Sequence, residues 1–233
     1  MNSGIPIYIL CNRIHEEERY HALLKHLPAR GIPLSSVRWI SGPWGSELTS
    51  SEIFKVYDPF QPRLGFGTAL SFKAAALSRG EVSLILTFYK GILQALEETK
   101  AKEDRPIIFF ESDVVLREDF TTRLADILAD PRPWDYISLG EGSGSRPAGS
   151  ASYFSPSLLY EPPHQYVFRC TDSMLFKRSF LEKLVKTLIP FRECMDWEMN
   201  VQLNYHRGIA LWADPPLVEP GSGRWRNLSW LVG

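Results

Sequence analysis

Along this chain, short unbroken apolar runs alternate with longer stretches in which apolar residues return every three or four positions. The first run, IPIYILC at 5–11, is rich in branched residues and predicts a buried strand. HEEERYHALLKHLPARG at 15–31 follows with helical spacing and stops at Gly31. VRWIS at 37–41 predicts a second strand, after which Pro43, Gly45, Pro59, Pro62, Gly65 and Gly67 punctuate a long irregular segment. Structureless stretches of that length are uncommon in compact domains, so it reads as a functional loop or lid. Residues 68–102 are helical in pattern over most of their length, Ala-rich then Leu-rich, with a break near 78–81. The run IIFF at 107–110 is the next strand, EDFTTRLADILAD at 118–130 a helix, and WDYISLG at 134–140 another strand.

Strands alternating with helices of this length predict an α/β fold: a mostly parallel central sheet flanked by helices on both faces. Ligands of such sheets bind outside the carboxyl ends of the strands. Further on, 140–152 is rich in Gly and Ser, and 165–188 predicts two short strands around a polar turn and then a helix. The tail passes through CMDWEMNVQLNYH, IALWAD, PPLVEP and GSGRWR. Neither an internal repeat nor a linker divides the chain, so a single domain over 1–233 is expected.

Composition narrows the function. With 26 basic and 27 acidic residues the net charge is −1, which supplies no field to draw the protein onto nucleic acid or an anionic bilayer. Cys11, Cys170 and Cys194 are odd in number, scattered, and lack metal-ligand spacing, so they read as reduced packing residues. The apolar run before Asn12 is too short for a signal peptide or a membrane span, and a cytoplasmic protein with no integral membrane segment is expected.

The strand at 107–110 runs straight into Glu111 and Asp113, where an unpaired charge is expensive. Residues two apart on a strand share a face, so the two carboxylates converge while Ser112 turns away. Two oxygen donors with open positions at a strand's carboxyl end suit Mg²⁺ or Mn²⁺ carrying a diphosphate. The plainer alternative is that Asp113 caps a turn and Glu111 pairs with a base.

These residues resemble a family. IIFFESDVVLREDFTTRLADIL followed by WDYISLG is similar to the glycosyltransferase family 25 pattern, in which an apolar strand ends in an acidic cluster, a helix follows, and a Trp-Asp-apolar strand ends in Leu-Gly. LSRGEV at 77–82 resembles that family's Gly-Glu-Ile segment, and ALWADPPLVEPGS its closing Pro-Pro-Leu-Val stretch. The resemblance implies a single GT-A (Rossmann-like) domain, with a nucleotide-binding half at about 1–120 and an acceptor-binding half at about 121–233. It implies a metal-dependent, inverting transfer of a hexose from a UDP-sugar to a hydroxyl of an oligosaccharide or glycoconjugate. Two departures stand out: the family's Glu-Asp-Asp cluster has Ser112 in the middle, and its Ser-His after the Gly-Glu segment is here Thr87-Phe88.

Such a reaction needs a divalent ion on the leaving diphosphate and a carboxylate near the attacking hydroxyl, far along the chain from the metal pair. Asp196, beside Trp197, is the candidate base, with Glu198 in reserve; the alternative is an ordinary acidic helix start. Trp197 suits stacking on a sugar face, and Asp172 falls where the family builds its sugar and acceptor pocket, although turn chemistry also asks for Asp there. His206 is a candidate third metal ligand. Asn12 and Arg13, just past the first strand, with Lys73, Ser112 and Arg224, are candidates for the nucleotide, and Arg226 accompanies Arg224.

Three rivals remain open. A dinucleotide-binding oxidoreductase is disfavoured because Gly140, Gly142 and Gly144 miss the G-x-G-x-x-G spacing. A metal-dependent nucleotidyltransferase uses the same metal logic. A degenerate transferase kept as a glycan- or nucleotide-binding module is suggested by Ser112 and Phe88.

Overall fold

The computed structural model describes residues 4–58, 77–99, 104–140, 159–162 and 170–221. Its elements are β1 (Ile7–Leu10), α1 (Glu17–Ala29), β2 (Val37–Ile40), α2 (Ser50–Val56), α3 (Arg79–Glu98), β3 (Pro106–Glu111), β4 (Val114–Leu116), α4 (Phe120–Leu128), β5 (Tyr136–Ser138), β6 (Leu159–Tyr160), β7 (Ser173–Lys177), α5 (Arg178–Thr187), α6 (Met195–His206), β8 (Ala210–Ala213) and β9 (Val218–Pro220).

A seven-stranded sheet has the order β2-β1-β3-β7-β5-β8-β6, and β4 pairs with β9 in a small separate ribbon. β1 is parallel to β2 and β3, and β5 is parallel to β8. β7 runs antiparallel between β3 and β5, and β6 antiparallel on the β8 edge. The carboxyl ends of β1, β2, β3, β5 and β8 therefore share one rim, and β7 begins at it.

The sheet is covered on both faces, which is why β3 reads as continuous apolar sequence rather than alternating. Ile107 and Phe109 face the layer formed by α3, α5 and α6, packing with Phe88, Phe176 and Phe180. Ile108 and Phe110 face the layer of α1 and α4, packing with Leu23, Phe120 and Leu124. Phe109 stacks on Tyr8 at 5.4 Å and meets Phe88 edge-on at 5.0 Å, so truncating it to Ala removes an aromatic centre worth about 3–5 kcal/mol. By strand alternation Glu111 takes the Phe109 side, toward α3 and α6.

Three local readings change. The break at 78–81 is a helix start: Ser78 Oγ accepts from the Glu81 amide at 3.2 Å, and the Ser78 amide donates to Glu81 Oε2 at 2.7 Å. The irregular segment contains α2, begun by the same device, Thr49 with Glu52. β3 ends at Glu111, and Ser112 and Asp113 form a turn before β4. Strand periodicity therefore does not carry through Asp113, and Ser112 is turned toward the rim instead of away from it. The expected strand at 165–169, most of the Gly/Ser segment, Lys73, Arg224 and Arg226 lie outside the described residues.

Candidate active site

A cavity of about 550 Å³ opens at the shared rim. The ends of β1 and β3 give it Leu10, Cys11, Asn12, Glu111 and Ser112; α1 and its approach give Glu16 and Arg19. The loop after β2 contributes Gly42 to Ser46, and the first half of α3 contributes Arg79, Gly80, Ser83, Leu84 and Thr87.

That loop is pressed onto α3. Ser83 Oγ donates to the Pro43 carbonyl at 2.6 Å and Lys90 Nζ to the Ser41 carbonyl at 2.7 Å. A Cβ on Gly42 would lie 1.9 Å from Thr87 Oγ1 and 2.9 Å from the Thr87 Cα, so the approach requires glycine. Trp44 carries the wall outward, with the His15 ring stacked on it at 4.6 Å and His15 Nε2 3.3 Å from Glu47 Oε1.

On the α1 side the polar groups interlock. Glu16 accepts from the Asn12 amide at 2.7 Å, from Ser112 Oγ at 2.5 Å and from Arg19 Nη1 at 3.3 Å. Arg19 Nη1 also donates to Ser112 Oγ at 3.0 Å. Asn12 Oδ1 accepts from the Ile14 and His15 amides, which fixes the chain as it leaves β1.

The α6 side is acidic. Thr171 Oγ1 donates a short bond to Glu111 Oε1, and the Glu111 amide donates to the Asp172 carbonyl at 2.9 Å. Burial pushes the Glu111 carboxyl up to about 7; the Thr171 bond opposes this, and the negative fields of Asp113, Asp172 and Asp196 add to it. Burial likewise raises Asp113, with Arg19 pulling it down and Glu16 pushing it up. Asp172 is buried and accepts from the Ser173 amide at 2.9 Å. Asp196, in the first turn of α6, accepts from Cys194 Sγ at 3.1 Å and from the Trp197 amide at 3.1 Å. Burial and the Asp196 bond push the Cys194 thiol up to about 12, which keeps it a donor.

Mutual repulsion of this kind is what a bound cation relieves, and oxygen donors suit a hard divalent ion. Among the described residues no three His, Cys, Asp or Glu side chains gather into a group able to hold a metal ion. A hard divalent ion here would therefore have one or two of these carboxylates and would need other oxygens to complete its shell.

The residues predicted from sequence separate into groups. Glu111, Ser112 and Asn12 line the cavity. Asp113, Asp172 and Asp196 stand within electrostatic reach of Glu111, and Trp197 is exposed beside Asp196. Arg13 turns away, its guanidinium 5.9 Å over the Tyr20 ring. Glu198 is 1% exposed, and its carboxylate accepts from the Arg192 and Glu193 amides and from Gln202 Nε2, so it holds the loop before α6 and is not presented as a base. His206 ends α6, about 15 Å along the axis from Asp196. It bonds Thr187 Oγ1 at 2.8 Å and meets Phe180 edge-on, and it is not brought to the carboxylates. Sequence reasoning missed Glu16, Arg19, Arg79 and Thr171; the Glu-Glu-Glu-Arg run of α1 offered no signal beyond a solvated face.

Among the described residues no helix is long and apolar enough to cross a membrane. No protein-family model matches the chain, and no curated protein matches it. Among solved structures the chain is similar to the galactosyltransferase LgtC, determined in complex with donor and acceptor sugar analogues, at 13% identity over 98% of this chain and 95% of that one, with a TM-score of 0.46.

Proposed function

We propose that this chain is a glycosyltransferase that moves a hexose from a nucleoside-diphosphate donor, UDP-linked, to a hydroxyl of a glycan acceptor, with inversion at the anomeric carbon. The observation that carries this reading is the juxtaposition at one rim: a cavity flanked by Arg19 and Arg79, with Glu111 between it and an acid group that reaches Asp196. Nucleotide and acceptor thus have separate sides to bind on.

Charge counting supports a divalent ion. Arg19 and Arg79 on the cavity wall face Glu16 and Glu111, so with Glu111 ionised the wall's formal charges cancel, and a diphosphate brings negative charge in excess of them. Glu111 and Asp113 would hold Mn²⁺ or Mg²⁺, which when bound neutralises charge on the departing diphosphate oxygens. The chain's own residues do the rest. Asn12 and Ser112 orient the nucleotide side; Lys73 is proposed to reach the phosphates, and Arg224 with Arg226 to close over them once the donor binds. Trp197 stacks on the acceptor sugar, and Asp172 borders the sugar being transferred. Asp196 accepts the acceptor's hydroxyl proton as the new C–O bond forms at the anomeric carbon. The old C–O bond breaks, and its electron pair leaves on the diphosphate.

The test is a panel of nucleotide sugars assayed for nucleoside diphosphate release and sugar transfer, with and without Mn²⁺. Asp196→Asn should lower transfer by about 10²–10⁴-fold while donor binding persists. Transfer by that variant at the parental rate removes Asp196 as the base; release of pyrophosphate in place of nucleoside diphosphate replaces the reaction with nucleotidyl transfer.

A further inference from the structure

Arg19 stands in the first turn of α1 with its guanidinium on the cavity wall and 40% of its side chain exposed. Both of its hydrogen bonds use Nη1, to Ser112 Oγ at 3.0 Å and to Glu16 Oε1 at 3.3 Å, which leaves Nε and Nη2 for a ligand. Ser112 occupies the middle of the acidic cluster. A carboxylate there would join Glu16 on the guanidinium, with Asp113 already in electrostatic reach, and set three negative neighbours against its one charge. The hydroxyl instead donates its proton to Glu16 at 2.5 Å and accepts from Arg19, so it draws on the negative partner without adding one. Arg79, which makes no ion pair among the described residues, flanks the same cavity.

We propose that Arg19 binds the donor's diphosphate directly, so that this chain holds a nucleoside diphosphate partly through its own cation and not through a divalent ion alone. Guanidinium nitrogens present a fork that matches phosphate oxygens, and a charge-assisted bond of this kind survives chelation of the metal. Ser112 is the residue that keeps the fork available. The inference rests on the glycosyltransferase reading for the identity of the donor, while the diphosphate contact is testable without any transfer.

The experiment is calorimetric titration of the full chain with uridine diphosphate and with inorganic pyrophosphate, in EDTA and in Mn²⁺, for the parent, Arg19→Gln, Arg19→Lys and Ser112→Asp. Thermal melting is recorded for each protein. The parent should bind uridine diphosphate in EDTA. Arg19→Gln should weaken that binding at least about tenfold, Arg19→Lys should retain part of it, and Ser112→Asp should lose it in EDTA and regain it in Mn²⁺. No binding of either probe by the parent in EDTA, or equal affinity in Arg19→Gln, overturns the proposal. If Arg19→Gln does not melt cooperatively, Ser112→Asp decides, and parental affinity in EDTA for that variant is equally fatal. Arg19-dependent binding with no transfer from any nucleotide sugar would remove the proposed reaction and leave this contact standing.

Discussion

On the α1 side of the cavity Glu16 meets Arg19, Ser112 and the Asn12 amide, whereas on the α6 side Glu111 meets the Thr171 hydroxyl and then the negative fields of Asp113, Asp172 and Asp196. The end of β3 contributes to both sides, which differ in how charge is balanced. The first is compensated within the fold, so folding itself orders it, and a ligand entering there exchanges one polar partner for another. On the second, burial and the neighbouring acids together hold the Glu111 carboxyl up at about 7, and perturbed groups of this kind gather at functional sites. One flank is thus ordered by its own opposite charges, while like charges dominate around Glu111 on the other.

The largest expected effect breaks the acidic flank at its centre. Glu111→Gln should lower transfer by about 10²-fold or more, as loss of a major electrostatic contact does, and yet raise stability at neutral pH. The sign follows from linkage. Glu111 titrates near 7 in the fold against 4.5 when exposed, so the folded state binds the proton more tightly and stability declines as pH rises from 4.5 to 7. The whole window is worth about 3 kcal/mol. His26 works in the opposite direction. It is buried, accepts from the Leu116 amide at 2.9 Å, and burial with the nearby Arg30 holds it down at about 4. Stability should therefore fall as pH drops from 6.5 toward 4, again by about 3 kcal/mol. The two slopes oppose each other between 4.5 and 6.5 and flatten the parent's profile there. Denaturant titrations across pH should expose the falling acid limb in Glu111→Gln and the falling neutral limb in His26→Gln. A Glu111→Gln profile identical to the parent's would show that the acidic flank carries no strain.

Much of this arrangement was visible in the residues, and the boundary of what was visible has physical causes. IIFFE announced a strand covered on both faces and ended by an acid because burial on two sides leaves no alternation to confuse. Asn12 at the end of β1 followed from topology alone. The facing of Ser112 is not legible, because it depends on where β3 stops and the turn at 112–113 has no local signature apart from the Asp. Asp196 and Glu198 lie two apart in one helix turn, and which of them is buried against the 191–194 loop is decided by tertiary packing. Arg19 and Glu16 sit in a run of charge that any solvated helix could carry. His206 shares α6 with Asp196, but the length of the helix separates them. The break in the pattern near 78–81 coincides with the start of α3, and the Ser78 and Glu81 spacing that caps it is legible in the residues, though helical periodicity on both sides masks it as a boundary signal.

A smaller effect is expected from the contact that closes the compensated flank. Gly42→Ala places a Cβ 1.9 Å from Thr87 Oγ1 and 2.8 Å from Thr87 Cβ, so the loop after β2 must lift from α3. Overpacking of this kind costs about 1–3 kcal/mol, readable as a lower melting temperature. The added Thr87→Ala substitution removes the nearest atom, while the Thr87 Cα at 2.9 Å stays. Partial and not complete recovery in the double variant is therefore the expected outcome. Full recovery would mean that the hydroxyl, and not the helix backbone, sets the distance between loop and helix.

The smallest change tests whether the compensated flank extends to the outer wall. His15 stacks on Trp44 with an interplanar angle of 13° and approaches Glu47 at 3.3 Å, and both of these side chains are substantially exposed. His15→Ala should therefore cost less than about 1 kcal/mol of stability, because an exposed stack and an exposed ion pair each contribute little. Trp44 lines the cavity, however, and the stack joins the loop after β1 to the loop after β2, beside the His15–Glu47 contact and the bond from Ser41 Oγ to the Cys11 carbonyl at 3.1 Å. If the nucleotide side is ordered by the fold before the donor arrives, loosening that join should raise the donor KM several-fold with kcat unchanged, since only binding to an ordered wall is lost. An equal fall in kcat would place Trp44 among the groups that act in the transition state, and the division of the rim into an ordered flank and a reacting flank would have to be redrawn.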